Sequence, residues 1–248
     1  MKLSVSSQLH LESFLLSNQK VFSLSTAFRA EKQNTRRHLS EFIMLEAEVS
    51  FIENILDLAA ILQNLILDTL HKVEKDVADE LFEIRRFLNY KYNQPEKFQI
   101  ICYQEAIKII ERESHSNHDL SYEEEEELVN QLDGPVFVTN YPRLLKPFYM
   151  KQSEEEEFAS CFDLIFPKVG EIAGGSLREN SLERLKNHMN EKGLDCKKYE
   201  WYLEMRKYGL PPHGGFGLGV DRLLQFLTGF PNIRDVIPFP RTYKTINA

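Results

Sequence analysis

Cysteine is scarce in this sequence. There are three in 248 residues, Cys102, Cys161 and Cys196. They show no metal-ligand spacing and no evident partners, which excludes a disulfide scaffold or a zinc module and points to a reduced, intracellular protein. Long apolar runs are missing too. The richest, Phe51–Leu70, is broken by Glu53, Asn54, Asp57, Gln63, Asn64 and Asp68, so no segment reads as membrane-spanning. The first residues lack a charged stretch followed by a long apolar one, so no signal peptide is read. Positive charge is the minority sign: 30 Lys and Arg against 38 Asp and Glu leave a net −8. That argues against a general nucleic-acid-binding surface but leaves room for a local basic groove. Two acidic runs, Glu123–Glu127 and Glu154–Glu157, carry much of the imbalance and read as solvated faces. His115 and His118 have the spacing of half a metal site, yet no cysteine pair accompanies them, and they read as surface histidines. Phosphate-loop signatures are also absent. No G-x-x-x-x-G-K-[ST] occurs, and Val220 stands where a G-x-G-x-x-G would need its third glycine.

What is present is ordinary in amount and uneven in place. The hydrophobic fraction is 42%, and the length suits one domain, or a domain with an insertion. Four of the eleven glycines fall in "HGGFGLGVDR", residues 213–222, which ends in a lone arginine. The run reads as a glycine-rich strand feeding a buried helix that stops at Gly229. Either a neighbouring backbone or a ligand can come close there.

Lys2–Ser6 reads as a short strand and Gln8–Leu16 as a helix. Strands over Val21–Arg29 and 41–49 enclose a charged loop and form an antiparallel hairpin. By period 2, Ile43, Leu45, Ala47 and Val49 share one face, and Phe42, Met44, Glu46 and Glu48 the other. On the first strand Ser23, Ser25, Ala27 and Arg29 share a face. One side of the hairpin is thus a floor of small residues carrying Arg29, Phe42 and Glu46, suited to a ligand. Residues 51–72 read as a helix with Ile52, Ile55, Leu56, Ala59, Leu62 and Ile66 on one stripe. The polar region 73–135, with helices at 76–89 and 103–113, reads as an excursion and not as a separate core. Strands follow at 135–142, Phe158–Phe166 and Glu171–Arg178. A turn centred on Pro167 would set Asp163 opposite Glu171, and opposed carboxylates repel unless a cation lies between them. A bulge at Gly174-Gly175 would bring Arg178 onto the face of Glu171. Helices at 181–192 and 199–206 precede the glycine strand. Antiparallel strands with interspersed helices and no βαβ rhythm give an α+β fold.

Three clusters share a polar face: Arg29, Phe42 and Glu46; Asp163, Glu171 and Arg178; the glycine strand with Arg222. An arginine can hold phosphate, an aromatic ring with a guanidinium can sandwich a purine, and opposed carboxylates can carry magnesium. "FRAEKQNTRRHLSEFIMLEAE" (28–48) resembles motif 2 of the class II aminoacyl-tRNA synthetases. "GFGLGVDRLLQFLTG" (215–229) resembles their motif 3, and "NIRDVIPFPR" (232–241) the ending of the aspartate/asparagine/lysine subgroup. Within it, "SSQLHLE", "TRRHLSEFIMLEAE" and "FDLIFPKVGEIAGGSLRE" look most like the asparaginyl enzymes.

The resemblance implies the class II catalytic fold, a largely antiparallel sheet flanked by helices, and it implies roles. Arg29 would bind the ATP α-phosphate, Glu31 would sit near the adenosine or the tRNA end, and His38 would approach the terminal phosphates. Phe42 would stack on adenine and Arg222 would cover its other side, with Gly217 and Gly219 allowing the approach. Asp163 and Glu171 would hold Mg2+. Ser6 and Gln8 would contact the amino acid backbone, with Ser176 beside it. Glu46 would accept from, and Arg178 donate to, the side-chain amide of L-asparagine. Aspartyl enzymes have a lysine where this chain has Leu11, which favours asparagine. The partner implied is the acceptor end of tRNA(Asn), without a membrane. The full architecture is a homodimer with an N-terminal OB-fold and a motif 1, neither of which is found in this sequence, so a partial catalytic domain is expected. An aspartyl enzyme, an ammonia-dependent asparagine synthetase and an inactive nucleotide-binding module are the alternatives. The excursion and "VFVTNYPRLLKPFYM" look closer to the organellar form, which suggests the mitochondrial matrix, with the cytoplasm as the alternative.

Overall fold

The structure is a computed structural model that describes residues 3–30, 32, 35–111, 118–153, 157–243 and 245–246. Helix α1 (Gln8–Phe14) is followed by the hairpin of β1 (Lys20–Phe28) and β2 (Glu41–Ser50). Then come α2 (Ile55–Asp76), α3 (Ala78–Leu88), β3 (Gln99–Cys102), α4 (Tyr103–Ile109) and α5 (Tyr122–Gln131). Strands β4 (Val136–Thr139), β5 (Cys161–Phe166) and β6 (Gly170–Leu177) lead to α6 (Leu182–Glu191) and α7 (Glu200–Lys207). The glycine run forms β7 (His213–Gly219) and passes into α8 (Val220–Thr228). Seven strands make one sheet in the order β1-β2-β7-β6-β5-β4-β3. Every neighbouring pair is antiparallel except β3 and β4, which are parallel.

Helix α2 covers one face of the sheet. Asn54 caps it by accepting from Leu56 N at 2.9 Å. Its apolar stripe, Leu58, Ala59, Leu62, Ile66 and Leu70, is buried against Phe162, Leu164, Phe166, Phe216 and Leu218. Each leucine or isoleucine of the stripe contributes about 1.5–3 kcal/mol on full burial. The stripe differs from the expected one at Leu56, which is exposed, and the helix starts at Ile55. The opposite face is shared. Helices α4 and α5 cover the β3–β5 end, packing on Val136, Val138, Cys161 and Ile165. The middle, where Gly174, Gly217 and Gly219 alternate with core residues, is left open.

The region 73–135 is therefore no excursion. It supplies the edge strand β3 and the helices of a second core, and its buried residues, Phe98, Tyr103, Ala106 and Leu128, are spread among polar ones. Residues 3–6 form no strand; one hydrogen bond, Phe28 N to Ser4 O at 2.9 Å, ties them to the end of β1. In the hairpin, Ser23, Ser25 and Ala27 lie beside Glu46, Met44 and Phe42, as period 2 requires. Asp163 pairs with Gly174, not with Glu171. The bulge is at Ile172, where the partner of the ladder jumps from Ala173 to Glu171. It still turns Glu171 onto the face of Gly174, Ser176 and Arg178, because one extra residue reverses the alternation.

Candidate active site

The open middle of the sheet is a cavity of about 380 Å3, within the range of ligand clefts. Its floor is Gly174, Gly175, Gly217 and Gly219. A Cβ on Gly217 would meet Met44 Cε at 2.6 Å, so the floor has no room for side chains there. Strand β2 sets Phe42 and Met44 on the wall, and α8 begins beside them with Asp221 and Arg222. Asp221 accepts from Ile43 N at 2.8 Å, which fastens the helix start to the strand that carries Phe42.

One end is cationic. Arg29, Arg37, His38 and Arg222 line it. The Arg29 guanidinium lies 5.3 Å from the Phe42 ring centroid. The Arg222 guanidinium donates to the main-chain oxygen of Glu171. Arg37 stacks on Tyr122 at 3.6 Å and pairs with Glu125 at 3.6 Å. Burial, then the neighbouring Glu171, pushes the Glu125 carboxyl up to about 7 against the pull of Arg37. Glu125, within the acidic run 123–127, thus turns inward. Of the other expected surface charges, His118 lies 3.8 Å from Glu124 at the surface, while His115 and residues 154–156 lie outside the described residues.

The middle holds carboxylates. A Cβ on Gly174 would lie 3.3 Å from both Asp163 Oδ1 and Glu171 Oε1, so the two converge on one point kept clear by a glycine. Asp163 Oδ2 receives Lys146 Nζ at 2.5 Å, and Asp119 lies 3.4 Å from the same lysine. Burial, followed by Glu171 and Asp119, raises Asp163 to about 6 in spite of Lys146. Burial opposes the Lys146 charge, but Asp163 and Asp119 hold its pKa above the usual value.

The other end carries Gln8, Tyr149 and Arg178. Arg178 is 2% exposed and pairs through Nε and Nη2 with Glu48, while Nη1 donates to Ser176 Oγ at 2.7 Å. Burial works against its charge; Glu48, and after it Glu12, raises its pKa above the ordinary value. Glu46 and Arg178, both expected at the side-chain amide of asparagine, are held by different partners. Both Glu46 oxygens are taken by Ser6 and Ser7, with Ser7 N at 2.8 Å. The reason is register: Glu46 lies opposite Gly217 beneath the start of α1, and Glu48 lies opposite Gly215 beside Arg178. Glu12, Glu48 and His213 could by proximity hold a metal, but Arg178 and Arg206 already neutralise the two carboxylates.

Of the expected residues, Gln8, Arg29, His38, Phe42, Asp163, Glu171, Arg178, Gly217, Gly219 and Arg222 meet at this cavity. Ser6, Glu46 and Ser176 stand behind its wall, and Glu31 lies outside the described residues. Arg37, Lys146, Asp119 and Tyr149 also line the cavity, and none sits in a periodic sequence pattern that marks it.

The family model described as "tRNA synthetases class II (D, K and N)" matches residues 1–243. The chain belongs to this family. The chain is 42% identical over 266 residues to the asparagine–tRNA ligase of Mycoplasma genitalium, covering 99% of this chain and 58% of that protein. It is 42% identical over 257 residues to the probable mitochondrial asparagine–tRNA ligase of Dictyostelium discoideum, covering 96% and 55%. Among solved structures, the Entamoeba histolytica asparaginyl-tRNA synthetase in complex with asparaginyl-adenylate matches with a TM-score of 0.91 at 33% identity, covering 99% of this chain and 57% of that one. The chain spans little more than half the length of these relatives.

Proposed function

We propose that the chain is the catalytic part of an asparagine–tRNA ligase. It would join asparagine to ATP as asparaginyl-adenylate and pass the asparaginyl group to tRNA(Asn). The observation that carries this reading is a single cavity with cations at one end, a guanidinium and an amide at the other, and carboxylates between. Its similarity to a structure that holds asparaginyl-adenylate supports it.

In this reading adenine lies on Phe42, with Arg222 over its other face. Arg29 meets the α-phosphate and His38 the terminal phosphates. Gln8 and Arg178 hold asparagine, and Glu46 fixes the Ser6–Ser7 segment that leads into Gln8. The asparagine carboxylate attacks the α-phosphorus, the bond to the bridging oxygen breaks, and pyrophosphate leaves. The terminal ribose hydroxyl of the tRNA then attacks the acyl carbon and AMP leaves. Positioning and charge neutralisation by Arg29 and Arg222 supply the rate. Asp163 Oδ1 and Glu171 Oε1 offer the oxygen donors that Mg2+ prefers. When bound, the ion would neutralise phosphate charge.

Leu11, buried on α1, contributes no cation to the cavity, and this supports asparagine over aspartate. The mitochondrial matrix is the compartment we favour, in keeping with the name of the Dictyostelium relative, with the cytoplasm as the alternative. Charging of a tRNA(Asn) transcript with labelled asparagine tests the reading. Ester-linked asparagine on the tRNA is expected; charging with aspartate instead would overturn it.

A further inference from the structure

We infer that Glu48 is a positioning residue for amino-acid recognition: it holds the Arg178 guanidinium in one orientation at the cavity wall, and Gly215 admits it. The inference rests on the reading of Arg178 as an asparagine contact.

Glu48 lies on β2 and Arg178 just beyond β6, with β7 between these strands. The residue opposite Glu48 on β7 is Gly215, and any Cβ there would overlap the Glu48 carboxylate. The missing side chain lets a carboxylate on one strand cross its neighbour and reach a guanidinium beyond. The grip is two-pronged. Arg178 Nε donates to Glu48 Oε2 at 3.2 Å, and Nη2 donates to Oε1. Nη1 donates to Ser176 Oγ at 2.7 Å, and the Tyr149 ring lies 5.0 Å from Cζ. A guanidinium has five N–H groups. These bonds use three and leave one on Nη1 and one on Nη2. A forked pair fixes the plane of the guanidinium, so the two remaining donors keep fixed directions. Because the arginine is ordered before the ligand arrives, binding need not order it.

Calorimetric titration of the full chain with asparagine, and separately with ATP, tests this. Glu48→Gln is expected to weaken asparagine about tenfold or more while ATP changes by less than about twofold. Glu48→Asp, which keeps the charge, is expected to recover part of the loss. Unchanged asparagine affinity in Glu48→Gln, with ATP binding intact, overturns the proposal alone. A wild-type chain that binds ATP but not asparagine overturns the reading of Arg178 and the proposal with it. Where Glu48→Gln does not fold, 15N spectra of the wild type decide. Separate, slowly exchanging Nη signals from Arg178, assigned with Arg178→Lys, support a held guanidinium; one averaged signal overturns it.

Discussion

At the scale of the residue, the glycines of β7 do different things although they look alike in "HGGFGLG". Gly215 clears space for the Glu48–Arg178 pair, whereas a Cβ on Gly219 would meet nothing closer than Ile172 O at 3.5 Å. Gly215→Ala is therefore expected to lose about 1–3 kcal/mol of stability in urea unfolding, as overpacked sites do. Gly219→Ala is expected to stay within about 0.5 kcal/mol of wild type. Equal losses would contradict this account of the strand. Phe42 gives a second separation. It lies on the wall with Arg29 near its ring, far from Arg178 in role. Removing an aromatic partner costs about 0.5–1.5 kcal/mol beyond area. Phe42→Ala should then raise the KM for ATP about two- to tenfold and leave that for asparagine unchanged. An effect on asparagine alone would move adenine elsewhere. The sequence made the small-residue floor visible, since alternation alone sorts β2 into two faces. It did not separate Glu46 from Glu48, because both share that face. Only the residues across the sheet, Gly217 and Gly215, and the serines above decide which carboxylate reaches the arginine.

At the scale of the element, α2 was readable because a 22-residue amphipathic helix repeats its pattern many times. Its centre, Leu62, is fully buried under the β5–β7 part of the sheet. Leu62→Ala should lower the unfolding free energy by about 2–5 kcal/mol through lost burial and a cavity. A loss under about 1 kcal/mol would mean that α2 is not the lid of that core. β3 was not readable. It is four residues long, lies at a sheet edge and joins its neighbour β4 in parallel, so it lacks both alternation and a hairpin turn. The glycine pair, where backbone freedom is greatest, points to a bulge there, but the bulge occurs at Ile172. The consequence for Arg178 was the same because any single bulge between Glu171 and Arg178 reverses the faces. Lys146 had no signal of its own, since a lone lysine after a proline-containing turn shows nothing of the Asp163 beneath it.

At the scale of the whole molecule, buried charges tie the site together. Glu12 on α1 receives Arg206 Nη2 at 2.7 Å from α7, His213 Nε2 at 3.0 Å from β7 and Tyr202 OH at 2.8 Å. Burial alone would push the Glu12 carboxyl up. The hydrogen bond from His213 and the charges of Arg206, His213 and Arg178 outweigh it and hold the pKa at about 2 instead of 4.5. A lowered carboxyl stabilises the fold above its unfolded value, and this is lost as pH falls from about 4.5 toward 2. The amount is on the order of 3 kcal/mol. Urea unfolding between pH 5 and 3 should show this decline, and Glu12→Gln should be less stable at neutral pH and show a flatter decline. An unchanged slope would place the acid sensitivity in other groups. If one cavity activates asparagine with ATP, the purified chain catalyses ATP–pyrophosphate exchange. That exchange is expected to need asparagine and to stay at background with aspartate or with no amino acid. Exchange with aspartate, or none with asparagine from a folded chain that binds ATP, would contradict it.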